Sequence, residues 1–327
     1  MSTGWPHAAF FEAARAAKLD AASARLVHEG HCACFVVPEQ QLFVRVGRPG
    51  TEAQAINAIR FARACAGLLP VVPPGALPCG QPVITFAGPV TAWPLLQPTD
   101  TPVDFGWLGE TLRRLHDHPP PAGLRHQQTD PSVIRARLER YRSSSYADSI
   151  VIGECERLIA DIEALRSEVL PSLRLGLIHG DAYPANIVDT GSGPVLVDYD
   201  AAGIGPRYWD LAPTVVAHRR FGLPEDAVEH MLSAYGEDPR DDPALWAVVR
   251  IREWGAITYL LDLAGTSAVY SEELLHRLDS RRRATPWRTL DELRRAEEHA
   301  TRQARPWQRG MPVTGAPGTR TRPQYFR

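Results

Sequence analysis

Lysine is nearly missing from this 327-residue chain: Lys18 is the only one, and every other basic residue is arginine. Any task commonly given to a lysine must therefore fall to an arginine. A glycine-rich G-x-x-x-x-G-K-[ST] loop is also missing, which disfavours a P-loop enzyme. No apolar run approaches the ~20 residues of a membrane span, so no membrane partner is expected. Met1 to Phe11 has neither the basic nor the apolar part of a signal peptide. No charge of one sign dominates: the formal net charge is −2, and this leaves no nucleic-acid footprint. Cysteine is sparse and odd in number, at Cys32, Cys34, Cys65, Cys79 and Cys155. That argues against a disulfide framework and for a reducing, cytoplasmic setting. The group His31, Cys32, Cys34 lacks the paired C-x₂-C spacing of a metal site and reads as part of a buried strand.

What remains is an ordinary globular composition long enough for two lobes. Phe10 to Ala24 is alanine-rich with helical spacing. Cys32–Val37 and Gln41–Val46 are β-rich runs separated by Pro38-Glu39-Gln40, the pattern of a hairpin. Glu52 to Ala66 has a helical period, and Val83–Phe86 and Val90–Trp93 read as short strands. Residues 1–96 thus read as a small antiparallel sheet with one inserted helix. From Phe105 the pattern turns mainly helical, and 97–304 reads as a second, larger lobe. Residues 305–327 are rich in Pro, Gly, Arg and Thr and read as a disordered tail. The fold class expected is α+β, in two lobes.

The chemistry concentrates in Leu177-Ile178-His179-Gly180-Asp181-Ala182-Tyr183-Pro184-Ala185-Asn186. An apolar strand ends in a His-Gly-Asp turn, and an Asn follows five residues after the Asp. Asp198 stands at the end of the next apolar run, Val195–Val197. A hairpin about Gly191-Ser192-Gly193 would bring Asp198 back beside Asn186. Phosphoryl transfer asks for such a set. A carboxylate orients the attacking hydroxyl and takes its proton, and oxygen ligands hold magnesium against the nucleotide phosphates. The bland alternative is a turn whose Asp and Asn cap strands.

This segment resembles the aminoglycoside phosphotransferase-like kinases, whose signature is His-Gly-Asp with Asn five residues on and a strand ending in Asp. The run Asp198-Tyr199-Asp200, then Gly205-Pro206-Arg207-Tyr208-Trp209-Asp210-Leu211-Ala212, is similar to that family as well. The resemblance implies the two-lobed protein-kinase-like fold, with 1–96 as the nucleotide-binding lobe and 97–304 as the catalytic and substrate lobe, and an ATP-dependent kinase that needs Mg²⁺. Asp181 would be the catalytic base, Asn186 and Asp198 the magnesium ligands, and His179 a brace for the loop. Asp210 would support the loop.

In the small lobe, a kinase needs a cation on a strand for the α/β-phosphates and an acid on the neighbouring helix to fix it. Arg45, in Leu42-Phe43-Val44-Arg45-Val46, is the candidate cation. Its partner is either Glu52 or, through an amide contact, Asn57. Glu52 reads equally as a first-turn acid that complements the helix dipole. Val90 to Leu95 would form the hinge beside adenine, with Trp93 in the pocket or in the core.

For the acceptor, Asp200 and Glu253 are candidate contacts, with Asp262 a further acid. Glu253 reads equally as a helix salt bridge. The partner expected is a small-molecule hydroxyl acceptor, such as an aminoglycoside or another antibiotic. An amino alcohol or a sugar fits the same motifs. A non-catalytic nucleotide-binding relative is a further reading. Acceptor, choice of ATP or GTP, and oligomeric state are not written in these motifs.

Overall fold

The computed structural model describes residues 4–127, 131–281, 283 and 285–304. Its first element is α1 (Trp5–Ala17), which starts earlier than the alanine pattern suggests and stops sooner. Pro6 fits the first turn of a helix, where its missing N–H costs nothing. The stop comes at Lys18, which turns left-handed with φ of 54°. Beyond it the Gln40 side chain accepts from Asp20 N and donates to Lys18 O, holding the chain away from a further turn. The buried face of α1 packs on the sheet, where Phe10 stacks on Phe35 with centroids 4.3 Å apart.

That sheet has five antiparallel strands in the order β1-β2-β3-β5-β4. They are β1 (Arg25–Glu29), β2 (Ala33–Val37), β3 (Leu42–Val46), β4 (Val83–Thr85) and β5 (Gly88–Pro94). β1 has no apolar alternation strong enough to mark it, since Arg25, His28 and Glu29 lie along a half-exposed edge strand. Helix α2 (Glu52–Cys65) is inserted between β3 and β4. Its residues Ala58, Phe61, Ala62 and Cys65 are buried in one core with the helical region, while the helix also packs on β5. Asn57, also buried, donates to Ala202 O at 2.7 Å and accepts from Arg125 N at 2.9 Å. One amide thus ties α2 to two segments of the helical region.

The helical region contains α3 (Phe105–Asp117), α4 (Ser132–Arg142), α5 (Ser149–Glu168), α6 (Tyr208–Phe221), α7 (Glu225–Tyr235), α8 (Pro243–Ala264), α9 (Ala268–Ser280) and α10 (Leu290–Ala304). Capping marks several starts: Asp104 accepts from Trp107 N, Asp148 from Ile150 N, and Asp242 from Ala244 N. α8 buries residues around most of its circumference and forms the centre of this region. α3 packs along α7 so closely that a Cβ at Gly109 would lie 2.1 Å from Met231 O. The expected tail, 305–327, lies outside the described residues.

Two small antiparallel pairs are set into the helices. β6 (Leu175–Ile178) pairs with β9 (Gly203–Pro206), and β7 (Ile187–Asp189) pairs with β8 (Pro194–Leu196). The glycines of β9 permit close packing: a Cβ at Gly203 would meet Arg125 O at 2.4 Å. The loops 179–186 and 197–202, which join these pairs, face the small sheet.

Candidate active site

Loop 179–186 is fixed from beneath. Asp210, in the first turn of α6, is fully buried and accepts from His179 N and Gly180 N, both at 2.7 Å. His116 Nε2 is 3.2 Å from the same carboxylate, and His116 Nδ1 is 2.9 Å from the Tyr235 hydroxyl. Burial opposes the Asp210 charge, but the hydrogen bonds from His116 and from His179 N help to outweigh it, so the carboxyl sits below its usual range. Trp209 Nε1 donates to Gly180 O at 3.0 Å. Gly180 has φ of 82°, and a Cβ there would lie 1.9 Å from Ala201 O. Only glycine allows the two loops this approach. His179 is buried, and its Nε2 donates to Val197 O at 3.1 Å, joining the loops a second time.

Asp181 follows, with its carboxylate half-exposed. Asn186 Nδ2 donates to Asp181 O at 2.8 Å and to Asp181 Oδ2 at 3.1 Å. The other carboxylate oxygen, Oδ1, accepts from Arg252 of α8 at 2.6 Å. Arg252 lies over the Trp209 ring at 5.4 Å. The β7–β8 hairpin returns the chain beside Asn186, with Val197 N donating to Asn186 O at 3.0 Å. Asp198 follows in a left-handed conformation, φ 66°, which turns the chain toward the small sheet. Asp181, Asn186 and Asp198 are therefore gathered by two short strand pairs.

Arg45 reaches across from β3. Its guanidinium holds Asp198 Oδ1 at 2.8 Å and Asp200 Oδ2 at 2.6 Å. Burial works against the Arg45 charge, but the two carboxylates more than offset it and hold Arg45 firmly protonated. Burial likewise opposes ionisation of Asp198, yet Arg45 and His179 bring it below the usual carboxylate range. Asp200 moves the other way, because burial outweighs what Arg45 contributes.

The remaining nominated residues fall elsewhere. Glu52 accepts from Gly50 N at 3.1 Å, closing the turn before its own helix. Asn57 makes the ties to Ala202 and Arg125 described above. Neither one pairs with Arg45, whose acids both come from the segment after β8. Glu253 is buried and bonded to Arg219 at 3.1 Å and Arg220 at 2.7 Å, within the helix packing. Asp262 is held by Arg137 and Arg140. Trp93 donates from Nε1 to Thr91 Oγ1 at 3.0 Å and packs on Tyr199 with centroids 5.5 Å apart. The residues that sequence reasoning passed over are Arg252 and His116, one 71 and the other 94 residues from its carboxylate partner.

Between the sheet and the loops lies a cavity of about 200 Å³, lined by Phe43, Arg45, Trp93, Asn186, Asp198 and Tyr199 among others. Phe43, Trp93 and Tyr199 are its aromatic lining, and it is charged where Arg45 and Asp198 meet. This suits a flat base with a phosphate tail. Asp198 and the Asn186 amide are hard oxygen donors of the type that binds Mg²⁺. Among the described residues no group of three or more His, Cys, Asp or Glu is arranged to hold a metal, so such an ion would need phosphate oxygens or water to complete its shell.

An antiparallel sheet with one inserted helix, a mainly helical region after it, and a cleft lined from both define a kinase-like fold. The chain belongs to the phosphotransferase enzyme family, whose model matches residues 33–251. No curated protein sequence matches it. Among solved structures it is similar to an amicoumacin kinase in complex with AMP-PNP, Ca²⁺ and its ligand, with a TM-score of 0.62 at 14% identity. That alignment covers 86% of this chain and 95% of the other. A microcompartment-associated aminopropanol kinase aligns with a TM-score of 0.58 at 20% identity, over 79% of this chain and 89% of that one. A choline/ethanolamine kinase family protein from Mesorhizobium loti gives 0.53 at 19% identity, over 83% and 94%.

Proposed function

We propose that the protein transfers the γ-phosphate of ATP to a hydroxyl of a small molecule, with Mg²⁺ as cofactor. The observation that carries this is that Asn186, bonded to Asp181, and Asp198, bonded to Arg45, line one base-sized cavity. Asp181 would accept the proton of the attacking hydroxyl as the new O–P bond forms and the bond to the departing ADP breaks. Asn186 orients Asp181 through its amide, and Asp210 holds the loop that presents it. Arg45 would release Asp198 and turn to the α/β-phosphates when nucleotide enters. Asp198 and Asn186 would hold Mg²⁺, which neutralises charge on the phosphates.

An acceptor that is not a polycation fits this chain best. A polycationic acceptor needs a cluster of free carboxylates. Here Glu253 is used by Arg219 and Arg220, Asp262 by Arg137 and Arg140, and Arg252 stands beside Asp181 itself. A neutral or zwitterionic hydroxyl compound, such as an amino alcohol, a sugar or an uncharged antibiotic, meets no such shortage.

The test is a phosphotransfer screen with ATP and GTP against aminoglycosides, other hydroxylated antibiotics, amino alcohols and sugars. Asp181→Ala should cut turnover on any acceptor found by roughly 10²–10⁴-fold while nucleotide still binds. Equal turnover in that variant would remove Asp181 as the base. Magnesium-dependent nucleotide binding without transfer to any acceptor would favour a non-catalytic relative.

A further inference from the structure

Two thiols stand in the same cleft, and the transfer proposed above gives neither a task. Cys34 is the cross-strand partner of Arg45, so their side chains share one face of the sheet. Cys32, two residues earlier, lines the cavity along with Cys34, Arg45, Asn186 and Asp198. The neighbouring Cys34 thiol, aided by Arg45 and opposed by burial and Asp198, draws the Cys32 thiol down to about 6. Cys34 is pushed the other way by Cys32 and by burial. Cys32 is therefore the thiol of the pair that ionises first. Cys34 is buried and Cys32 only partly so. Elsewhere Cys65 and Cys155 are buried and raised by burial to about 11 and about 12, and Cys79 is exposed on a loop.

We propose that Cys32 is a thiol modification site that governs entry to the cleft: electrophiles are captured on its sulfur, and the adduct occupies the charged part of the cavity. The biological electrophile class is a hydroperoxide. The Cys32 thiolate attacks one peroxide oxygen, the S–O bond forms, and the O–O bond breaks. Hydroxide or alkoxide leaves with the electron pair. Sulfur is oxidised to the sulfenic acid and the peroxide is reduced. The consequence for nucleotide rests on the kinase reading above; the reactivity of the thiol does not.

The full chain is treated with iodoacetamide at pH 7 and each cysteine followed by peptide mass spectrometry, with and without AMP-PNP and Mg²⁺. In this reaction the C–S bond forms and iodide leaves. Cys32 should label about fivefold faster than Cys79, the larger thiolate fraction being partly offset by the lower nucleophilicity of an acidic thiol. AMP-PNP should slow the labelling, and the alkylated protein should bind a fluorescent ATP analogue at least about tenfold more weakly, a loss of about 1.4 kcal/mol. Cys34→Ala should slow alkylation of Cys32, and in Cys32→Ser the reagent should leave nucleotide affinity at its pre-treatment value. Hydrogen peroxide should block the iodoacetamide reaction at Cys32 before it affects Cys79. Preferential labelling of Cys79 with Cys32 inert would overturn the proposal, as would unchanged nucleotide affinity after Cys32 is alkylated. If the untreated protein bound no nucleotide, the kinase reading would fail, while the order of labelling would still decide the reactivity of Cys32.

Discussion

Replacing Asp210 with asparagine keeps the shape of a fully buried side chain and changes only its hydrogen bonding. The carboxylate accepts from His179 N, Gly180 N and His116. An asparagine offers one oxygen, and turns an NH₂ toward one of the two backbone N–H groups. A buried donor left without an acceptor costs about 1–3 kcal/mol, and hydrogen bonds to a charged acceptor are the stronger kind. With one donor orphaned and two bonds weakened, Asp210→Asn should cost roughly 3–5 kcal/mol. At about 2–4 °C per kcal/mol for a large domain, the melting temperature should fall by roughly 10 °C. The effect should also depend on pH, with a sign fixed by the lowered Asp210 value. A carboxyl whose folded value lies below its usual 3.8 adds stability above 3.8, and that stability is lost as pH falls through the folded value. The gap between wild type and Asp210→Asn should therefore be widest near neutrality and narrow in acid. Urea unfolding at pH 7 and at pH 3.5 reads both quantities. A variant within ~0.5 kcal/mol of wild type at pH 7, or a gap that grows on acidification, would refute the reasoning.

Further outcomes follow from the same geometry. Gly180→Ala places a Cβ 1.9 Å from Ala201 O at a φ of 82°, so the loops must separate. Stability should drop by about 2–4 kcal/mol in thermal unfolding, and transfer activity should vanish. Arg252→Ala leaves Asp181 held by Asn186 alone, and kcat should fall roughly tenfold to a hundredfold with little change in the KM for nucleotide. A change confined to that KM would place Arg252 elsewhere in the reaction. Arg45→Gln removes a cation from Asp198 and Asp200. Mn²⁺ affinity of the nucleotide-free protein should rise and nucleotide affinity should fall, both measurable by titration calorimetry. A loss of both affinities would mean that Arg45 mainly holds the loop in shape.

Much of the fold is legible in the sequence because its signals are local. Apolar runs separated by Pro38-Glu39-Gln40 give β2 and β3, and the helical period over 52–66 gives α2. β1 and β9 are not legible, one because it is a polar edge and the other because its glycines, which permit the close approach to Arg125, give no strand signal. The same division runs through the site. Asp181, Asn186 and Asp198 lie within one loop and one hairpin, so spacing alone brings them together. The partners that hold them come from far along the chain. Arg252 lies on a helix buried around most of its circumference, where no periodicity distinguishes a residue facing Asp181. A kinase pattern puts the acid for Arg45 on α2. Instead Asp198 and Asp200 supply the charge, and α2 contributes an amide.

That amide has its own consequence. Asn57 sits at the seam where α2 meets the segments ending in Ala202 and Arg125, and it has no proton to lose or gain across the physiological range. An ion pair at such a seam loosens when salt screens it or when its acid protonates. The neutral bridge does neither, so the small sheet's helix should keep its setting against loops 179–186 and 197–202 in brine and in dilute buffer alike. Sensitivity to salt and to acid is left to the ion pairs that Arg45 makes with Asp198 and Asp200.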